Sequence, residues 1–337
     1  MPNHQFSKMT LKPQSARVTA SALAMSWAIL GAASAAEFDA DKISLRDLTA
    51  DVRIVTTTRG NGEDKVDVTI EQGSEYETIK VIHDEDKGLV ILQGEGFDDP
   101  EDGCCDNRIT REFEAAADRA AARNQDPAAA RRQAFKRYPV ITIAMPRSGD
   151  AEFDDVRMLI DMDDLDGTVV MDACYAYGEI GNLSEAAIGI VDGSRLIVGD
   201  VRTDIEIDLS GDADIRLGNA GAVDVDVAGA GEAVFNTIDG FLDVSIAGSG
   251  LVRAARLDGP LTTRIAGSGD VLVSAGRADP LKAIIKGSGS VTHEGPVGGT
   301  DLRLTRSAIA RLGSVRGKIN KSGSGAVYVG GKLVETE

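Results

Sequence analysis

Leu261-Thr262-Thr263-Arg264-Ile265-Ala266-Gly267-Ser268-Gly269 is one of four segments in which an alternating apolar and polar run ends on Gly-x-Gly. The others end on Gly229-Ala230-Gly231, Gly248-Ser249-Gly250 and Gly287-Ser288-Gly289, at intervals of 19, 19 and 20 residues. A period of that length belongs to a solenoid, in which each repeat is one coil and the coils stack along a common axis. A single Gly-Ser-Gly reads as a flexible linker; a fixed period within alternating strands does not. Aligning the segments on the first glycine gives three inward columns. They are Ile205, Val223, Leu242, Leu261 and Leu281; then Ile207, Val225, Val244, Thr263 and Ala283; then Leu209, Val227, Ile246, Ile265 and Ile285. Successive side chains of a strand point to opposite faces, so the residues between these columns face outward.

The expected fold is all-β: a right-handed parallel β-helix (β-solenoid) with coils of about 19 residues, its hand set by the preference of parallel crossovers. Coils are marked near Gly178, Gly193, Gly211, Gly229, Gly248, Gly267, Gly287, Arg306 and Gly323. Nine of them at about 4.8 Å each make a rod about 43 Å long. Each coil buries three aliphatic side chains on this strand, worth roughly 1.5–3 kcal/mol apiece. The corner glycines permit left-handed backbone angles. Ser249, Ser268 and Ser288 are expected to lie above one another and to hydrogen-bond along the stack.

Outside these repeats the chain divides into three further parts. Residues 1–36 carry Lys8, Lys12 and Arg17, an apolar run from Val18 to Gly31, and Ala32-Ala33-Ser34-Ala35-Ala36, the pattern of a secretory signal peptide cleaved after Ala35 or Ala36. The apolar run is too short to span a bilayer. Residues 37–97 alternate like strands and read as first coils or an antiparallel cap, because an open coil end exposes unpaired backbone groups. Residues 98–138 break the pattern as a helical insertion. It has an acidic start, Ile109, Phe113, Ala116 and Ala120 at helical spacing, Pro127 at a second helix start, and a basic end whose charges are expected to lie against the acidic solenoid. Residues 139–337 hold the solenoid repeats, one domain with 37–97.

Loss of the signal takes the net charge from −18 to −21. Such a charge opposes nucleic acid and anionic lipid and favours divalent cations, although solubility alone also accounts for it. The only tryptophan, Trp27, leaves with the signal, so stacking platforms for sugars are scarce. Cys104, Cys105 and Cys174 stand in a compartment that permits disulfides, and a bridge from Cys104 or Cys105 to Cys174 is favoured over one between neighbours. The odd count leaves one thiol free or available to a partner chain.

The strand-Gly-Ser-Gly-strand repeats from about Gly178 to Gly331, together with Val140-Ile141-Thr142-Ile143-Ala144-Met145-Pro146, resemble the bacterial family described as putative auto-transporter adhesin, head GIN domain. The resemblance spans nearly the whole mature chain except the insertion. It implies a secreted or envelope-located β-solenoid and supplies no catalytic motif. The insertion and the Cys104-Cys105 pair depart from the family pattern and are where a special role is expected.

The outward columns supply the candidate site. One holds Glu206, Asp224, Asp243, Thr262 and Lys282, and its neighbour Asp208, Asp226, Ser245, Arg264 and Ile284. Carboxylates at coil spacing repel, and calcium would relieve Glu206, Asp208, Asp224, Asp226 and Asp243 through its oxygen-rich coordination; screening by water and salt is the competing account. The calcium-roll nonapeptide is absent. No Walker loop, dinucleotide fingerprint or nucleophile elbow occurs, and no catalytic or cofactor-binding residues are assigned. These features point to a secreted or periplasmic, non-catalytic adhesin-like binding or scaffold protein of the cell envelope. Its expected partner is an envelope protein or surface glycan, with no nucleic acid and no membrane span after signal cleavage. The alternative is a calcium-dependent protein that binds or cleaves an anionic polysaccharide. A third reading has the insertion docking an envelope partner through Cys104 or Cys105.

Overall fold

The computed structural model describes residues 34–57, 65–74, 78–94 and 108–334. Parallel coils stack from Lys42 to Val329 in the expected register. Ile205 lies beside Val223, Val223 beside Leu242, Leu242 beside Leu261 and Leu261 beside Leu281, and the other two columns keep step with them. All fifteen side chains are at most 2 % exposed. We call the sheet built on these columns the broad face. A narrow face follows each glycine corner, and Leu196, Ile215, Ala233, Val252, Val271, Val291, Ala310 and Val327 form its inward column. The two sheets face each other across one continuous aliphatic interior. No coil could bury these side chains alone; its neighbours above and below complete the burial.

Close stacking fixes the residue at the corner between the faces. Gly229, Gly248, Gly267 and Gly287 lie in register and all have positive φ, between 132° and 153°. A Cβ on any of them would sit 1.9–2.4 Å from the carbonyl oxygen of the glycine one coil below. The bonds that run along the stack here are made by the backbone: Ser249 N donates to Gly229 O (2.8 Å), Ser268 N to Gly248 O (2.9 Å) and Ser288 N to Gly267 O (2.9 Å), while the serine side chains are exposed. Arg306 continues the column with φ 58°, a left-handed conformation without the steric freedom of glycine. Gly178, expected as the first coil marker, belongs elsewhere. It sits in the narrow face between Ile160 and Leu196, and its Cβ would meet Ile160 O at 1.8 Å. The position below Gly211 in the corner is Asp192, whose Oδ1 accepts from Asp212 N.

The corner that closes each coil is held differently. Asp164 Oδ1 accepts from Asn182 N (2.7 Å) and Nδ2 (2.9 Å), Asn182 Oδ1 from Asp200 N (2.8 Å), and Asp200 Oδ1 from Asn219 N (2.7 Å) and Nδ2 (3.0 Å). Asn219 Oδ1 then accepts from Asn236 Nδ2 (3.0 Å). These amides and carboxylates satisfy backbone donors that the turn turns away from the sheet.

The N-terminal segment is both first coil and cap. Lys42–Arg46 lies parallel between Leu89–Gln93 and the strand from Asp150, and Thr49–Thr57 lies parallel to Val140–Pro146. Lys65–Glu71 runs antiparallel to both Ser34–Asp39 and Val140–Pro146, and Lys80–Asp84 antiparallel to Leu89–Gln93. Reversed strands therefore occupy the edge where a further coil would otherwise add. At the other end Ala326–Val329 folds back on Lys332–Leu333.

The insertion provides two helices, α1 (Arg108–Ala121) and α2 (Pro127–Phe135). Asp126 caps α2, accepting from Ala128 N at 2.9 Å, and Pro127 takes the first turn, where its missing N–H costs nothing. Phe113, Ala117 and Ala120 are the buried stripe of α1. Phe113 stacks on Phe135 at 4.0 Å, and with Tyr138, Leu159 and Tyr175 these form a second, aromatic core between the helices and the narrow face. Only Arg132 of the basic end faces solenoid carboxylates, Asp51 among them; Arg131 and Arg137 are paired within the insertion. Arg131 makes a bidentate pair with Glu114, and Arg137 with Glu112, both partners being on α1. Glu114 also accepts from the Tyr175 hydroxyl at 2.9 Å, and Arg131 covers the Tyr177 ring at 4.6 Å. Desolvation opposes the charge of Arg131, but its hydrogen bonds to Glu114 together with the electrostatic attraction of Glu114, Tyr175 and Tyr177 raise its pKa. Cys174 is disulfide-bonded; Cys104 and Cys105 lie outside the described residues.

Two substitutions test the corner. Gly248→Ala should lower the urea midpoint, with a loss of about 2 kcal/mol or more from the clash and the left-handed backbone, and Arg306→Gly should leave it unchanged or raise it by up to about 1 kcal/mol. Equal effects of the two in urea melts would show that corner conformation is not what demands glycine.

Candidate binding surface

The broad face carries the sequence-predicted carboxylates where the alignment puts them. Glu206, Asp224 and Asp243 follow one another along one outward column, and Asp208 and Asp226 are neighbours in the next. Glu206, Asp208, Asp224 and Asp226 are exposed, and Asp243 is half-buried. The second column extends further back than the sequence indicated: Asp154 lies beside Asp172, and Gly189 interrupts the row before Asp208. The short step from Asp172 to Gly189, a position without a charge, hides that continuation from a reading by fixed period.

The same register that stacks apolar side chains inside stacks like charges outside. Partial burial, then Asp243, Asp226 and Glu206, push the Asp224 carboxyl up to about 6, with Arg264 opposing. Burial, then Asp226 and Glu206, raise Asp208, and burial also raises Asp154 and Asp172. Arg264 Nη1 donates to Asp243 Oδ1 at 2.6 Å and marks the point where the column changes sign. Beside the charges runs a shelf of small side chains, Ser210, Ala228, Ala247 and Ala266, that floors a shallow groove along the rod from Asp208 to Lys286. Among the described residues no three His, Cys, Asp or Glu side chains converge as a group that could hold a metal ion. The carboxylates form a ladder, spread along the axis, and not a cage.

Two other concave surfaces adjoin the insertion. One lies between α2 and the narrow face and mixes both charges, with Asp51, Arg53, Arg132, Asp161, Glu179 and Arg195 in its wall. Burial raises Asp51 there, against Arg53. The other is a furrow along the glycine corner that runs into Thr110, Arg111 and Glu114 of α1. Sequence reasoning did not find these surfaces, because both depend on where the helices dock.

Residues 182–296 match the model of the family described as "Putative auto-transporter adhesin, head GIN domain". The matched stretch contains the four Gly-x-Gly corners and all five carboxylates of the predicted ladder. Two crystal structures are similar over most of the chain. One is described as a putative adhesin from Parabacteroides merdae ATCC 43184, at 13 % identity and a TM-score of 0.35, covering 89 % of this chain and 96 % of that one. The other is described as a putative adhesin from Parabacteroides distasonis ATCC 8503, at 13 % identity and a TM-score of 0.30, covering 90 % and 96 %. No curated protein matches the chain.

The raised Asp224 makes a signed prediction. The folded state holds its proton more tightly than the unfolded chain, so this carboxylate costs stability progressively as pH rises from about 4 to 6. Asp224→Asn should raise the melting midpoint at pH 7.5 by about 2 °C, an increment kept small by solvent screening, and by little at pH 4. Thermal melts at both pH values read the difference; a larger gain at pH 4 would contradict it.

Proposed function

We propose that the chain is an exported, non-catalytic, adhesin-like binding or scaffold β-solenoid of the cell envelope. The observation that carries this reading is the broad face itself. Its strands pair in parallel from Leu183 to Ser322, in continuous register through the three inward columns and with bulges only before them, at Leu183/Ala186, Val201/Asp204 and Gly259/Leu261, and they carry short corners and a shallow, side-chain-paved groove. A flat, rigid and laterally extended surface suits recognition by many weak contacts, whereas chemistry calls for a concave site that encloses its substrate. The adhesin description of the matched family agrees with a surface-binding role.

Export rests on the signal-like residues 1–36, of which 1–33 lie outside the described residues. Cleavage after Ala36 leaves Glu37–Asp39 paired with Lys65–Asp67, and Lys65 Nζ donates to Glu37 Oε1 at 2.7 Å. Among the described residues no helix is long and apolar enough to cross a membrane. The partner class that fits is an envelope protein or a surface glycan.

The calcium-dependent reading retains one specific support, the in-register carboxylates whose mutual repulsion a divalent cation would reduce. Thermal melting with calcium, alongside assays of polygalacturonate and alginate cleavage, tests both readings. The scaffold reading expects no cleavage with or without calcium, whatever calcium does to the melting midpoint. Calcium-dependent cleavage that disappears in Asp224→Ala/Asp226→Ala would replace it with the lyase reading.

A further inference from the structure

Net charge averages over a strongly polarised rod. Residues 151–250 contain 22 acidic and four basic side chains, and residues 251–334 contain five acidic and 13 basic ones. The reversal falls on the broad face, between Asp243 and Arg264. Arg277 still pairs with Asp279, but the cations that follow it have no such partner among the described residues. Among the described residues none of the nine from Lys282 to Lys332 has a carboxylate within ion-pair distance, whereas Arg195, Arg202, Arg253 and Arg264 each have one. Of the nine, Lys282, Lys286 and Arg303 lie on the outward columns of the broad face, whose other half carries Glu206, Asp208, Asp224 and Asp226.

We propose that two copies of this chain pack broad face to broad face, antiparallel, about a two-fold axis that lies along the strands between the coil of Asp243 and the coil of Thr262. A charge pattern that reverses sign along the rod is self-complementary under that operation, and an isologous interface follows. Asp224 and Lys282 both lie one and a half coils from the axis, about 7 Å, and come to face each other. Asp208 and Arg303 lie two and a half coils out, about 12 Å, and also meet. Lys286 comes beside Asp226. Glu206 faces Asp301, a like pair, with Arg303 next to both.

The centre of this interface is apolar. Ala247 comes over Ala266, and the small-residue shelf lets the two backbones approach closely. Phe241, 43 % exposed, precedes Leu242, and the exposed Pro260 precedes Leu261 one coil on. Across the axis Phe241 of one copy therefore meets Pro260 of the other. Six coils by one strand width give about 650 Å² per copy, near the lower bound for stable interfaces. A polyanion would satisfy only the cationic half and a divalent cation only the acidic half; a second copy satisfies both.

Sedimentation velocity over a salt series tests this on the wild-type protein without any substitution. The expected result is a dimer at about 20 mM salt whose dissociation constant rises at least about 100-fold by about 500 mM. D208K/D224K places cations opposite Arg303 and Lys282 of the other copy, and K282E/R303E places carboxylates opposite Asp224 and Asp208. Each should be monomeric alone at low salt, and an equimolar mixture should restore the dimer, which a folding defect could not do. A wild-type protein that stays monomeric at low salt overturns the proposal, as does a dimer that survives either double substitution. Retention of a monomeric wild type on heparin would assign the cationic half to a polyanion instead.

Discussion

Parallel backbone hydrogen bonding between successive coils is the constraint from which the rest follows. It places equivalent positions of every repeat about one strand spacing apart, whatever side chains they carry. Inside the coil this is favourable, because aliphatic side chains contact their counterparts above and below and complete burial that a single turn cannot achieve. At the corner it leaves no room for a Cβ, since the next carbonyl oxygen already occupies that space. On the outer faces it stacks like on like, so that a column of aspartates becomes a column of repelling charges. Core, corners and electrostatics are three results of one geometry.

That geometry explains why some features were legible in the sequence and others were not. Any property that repeats at the coil period could be read: the inward columns, the glycine corner and the carboxylate ladder all follow from counting 18 to 20 residues. Gly178 was misplaced because glycine answers the same steric demand in a different strand, against Ile160 and not at the corner. The Asp164, Asn182, Asp200 and Asn219 ladder went unread because Asp and Asn alternate there, although either can accept the same backbone bond. The salt bridges of the insertion lay beyond period counting altogether. Arg131 chooses Glu114, 17 residues away, because docking on Tyr175 and Tyr177 fixes where α1 and α2 meet.

The insertion also shows how a repeat protein acquires a singular feature. Each coil presents the same kind of surface as its neighbours, so a unique site must come from an element that breaks the repetition. Among the described residues the helices bring the one large aromatic cluster, cover part of the narrow face and leave the broad face open. The chain thereby has two chemically distinct sides: one built locally from packed rings and a buried ion pair, the other extended, flat and governed by charge.

Polar residues that enter the inward columns reveal how the stack tolerates exceptions. Thr263 stands between Val244 and Ala283, and His293 between Val273 and Leu312; both are fully buried, and no well-formed hydrogen bond satisfies the Thr263 hydroxyl or either ring nitrogen of His293. Each cost is confined to one layer, because a coil contacts only the coils on either side. Burial lowers the His293 pKa, so stability present above about pH 6.5 is lost as pH falls and the unfolded chain takes up the proton. The broad-face carboxylates act in the opposite sense, since their raised pKa values return stability as pH falls through the same region. Interior and surface of one rod therefore push stability in opposite directions as pH falls below about 6.5.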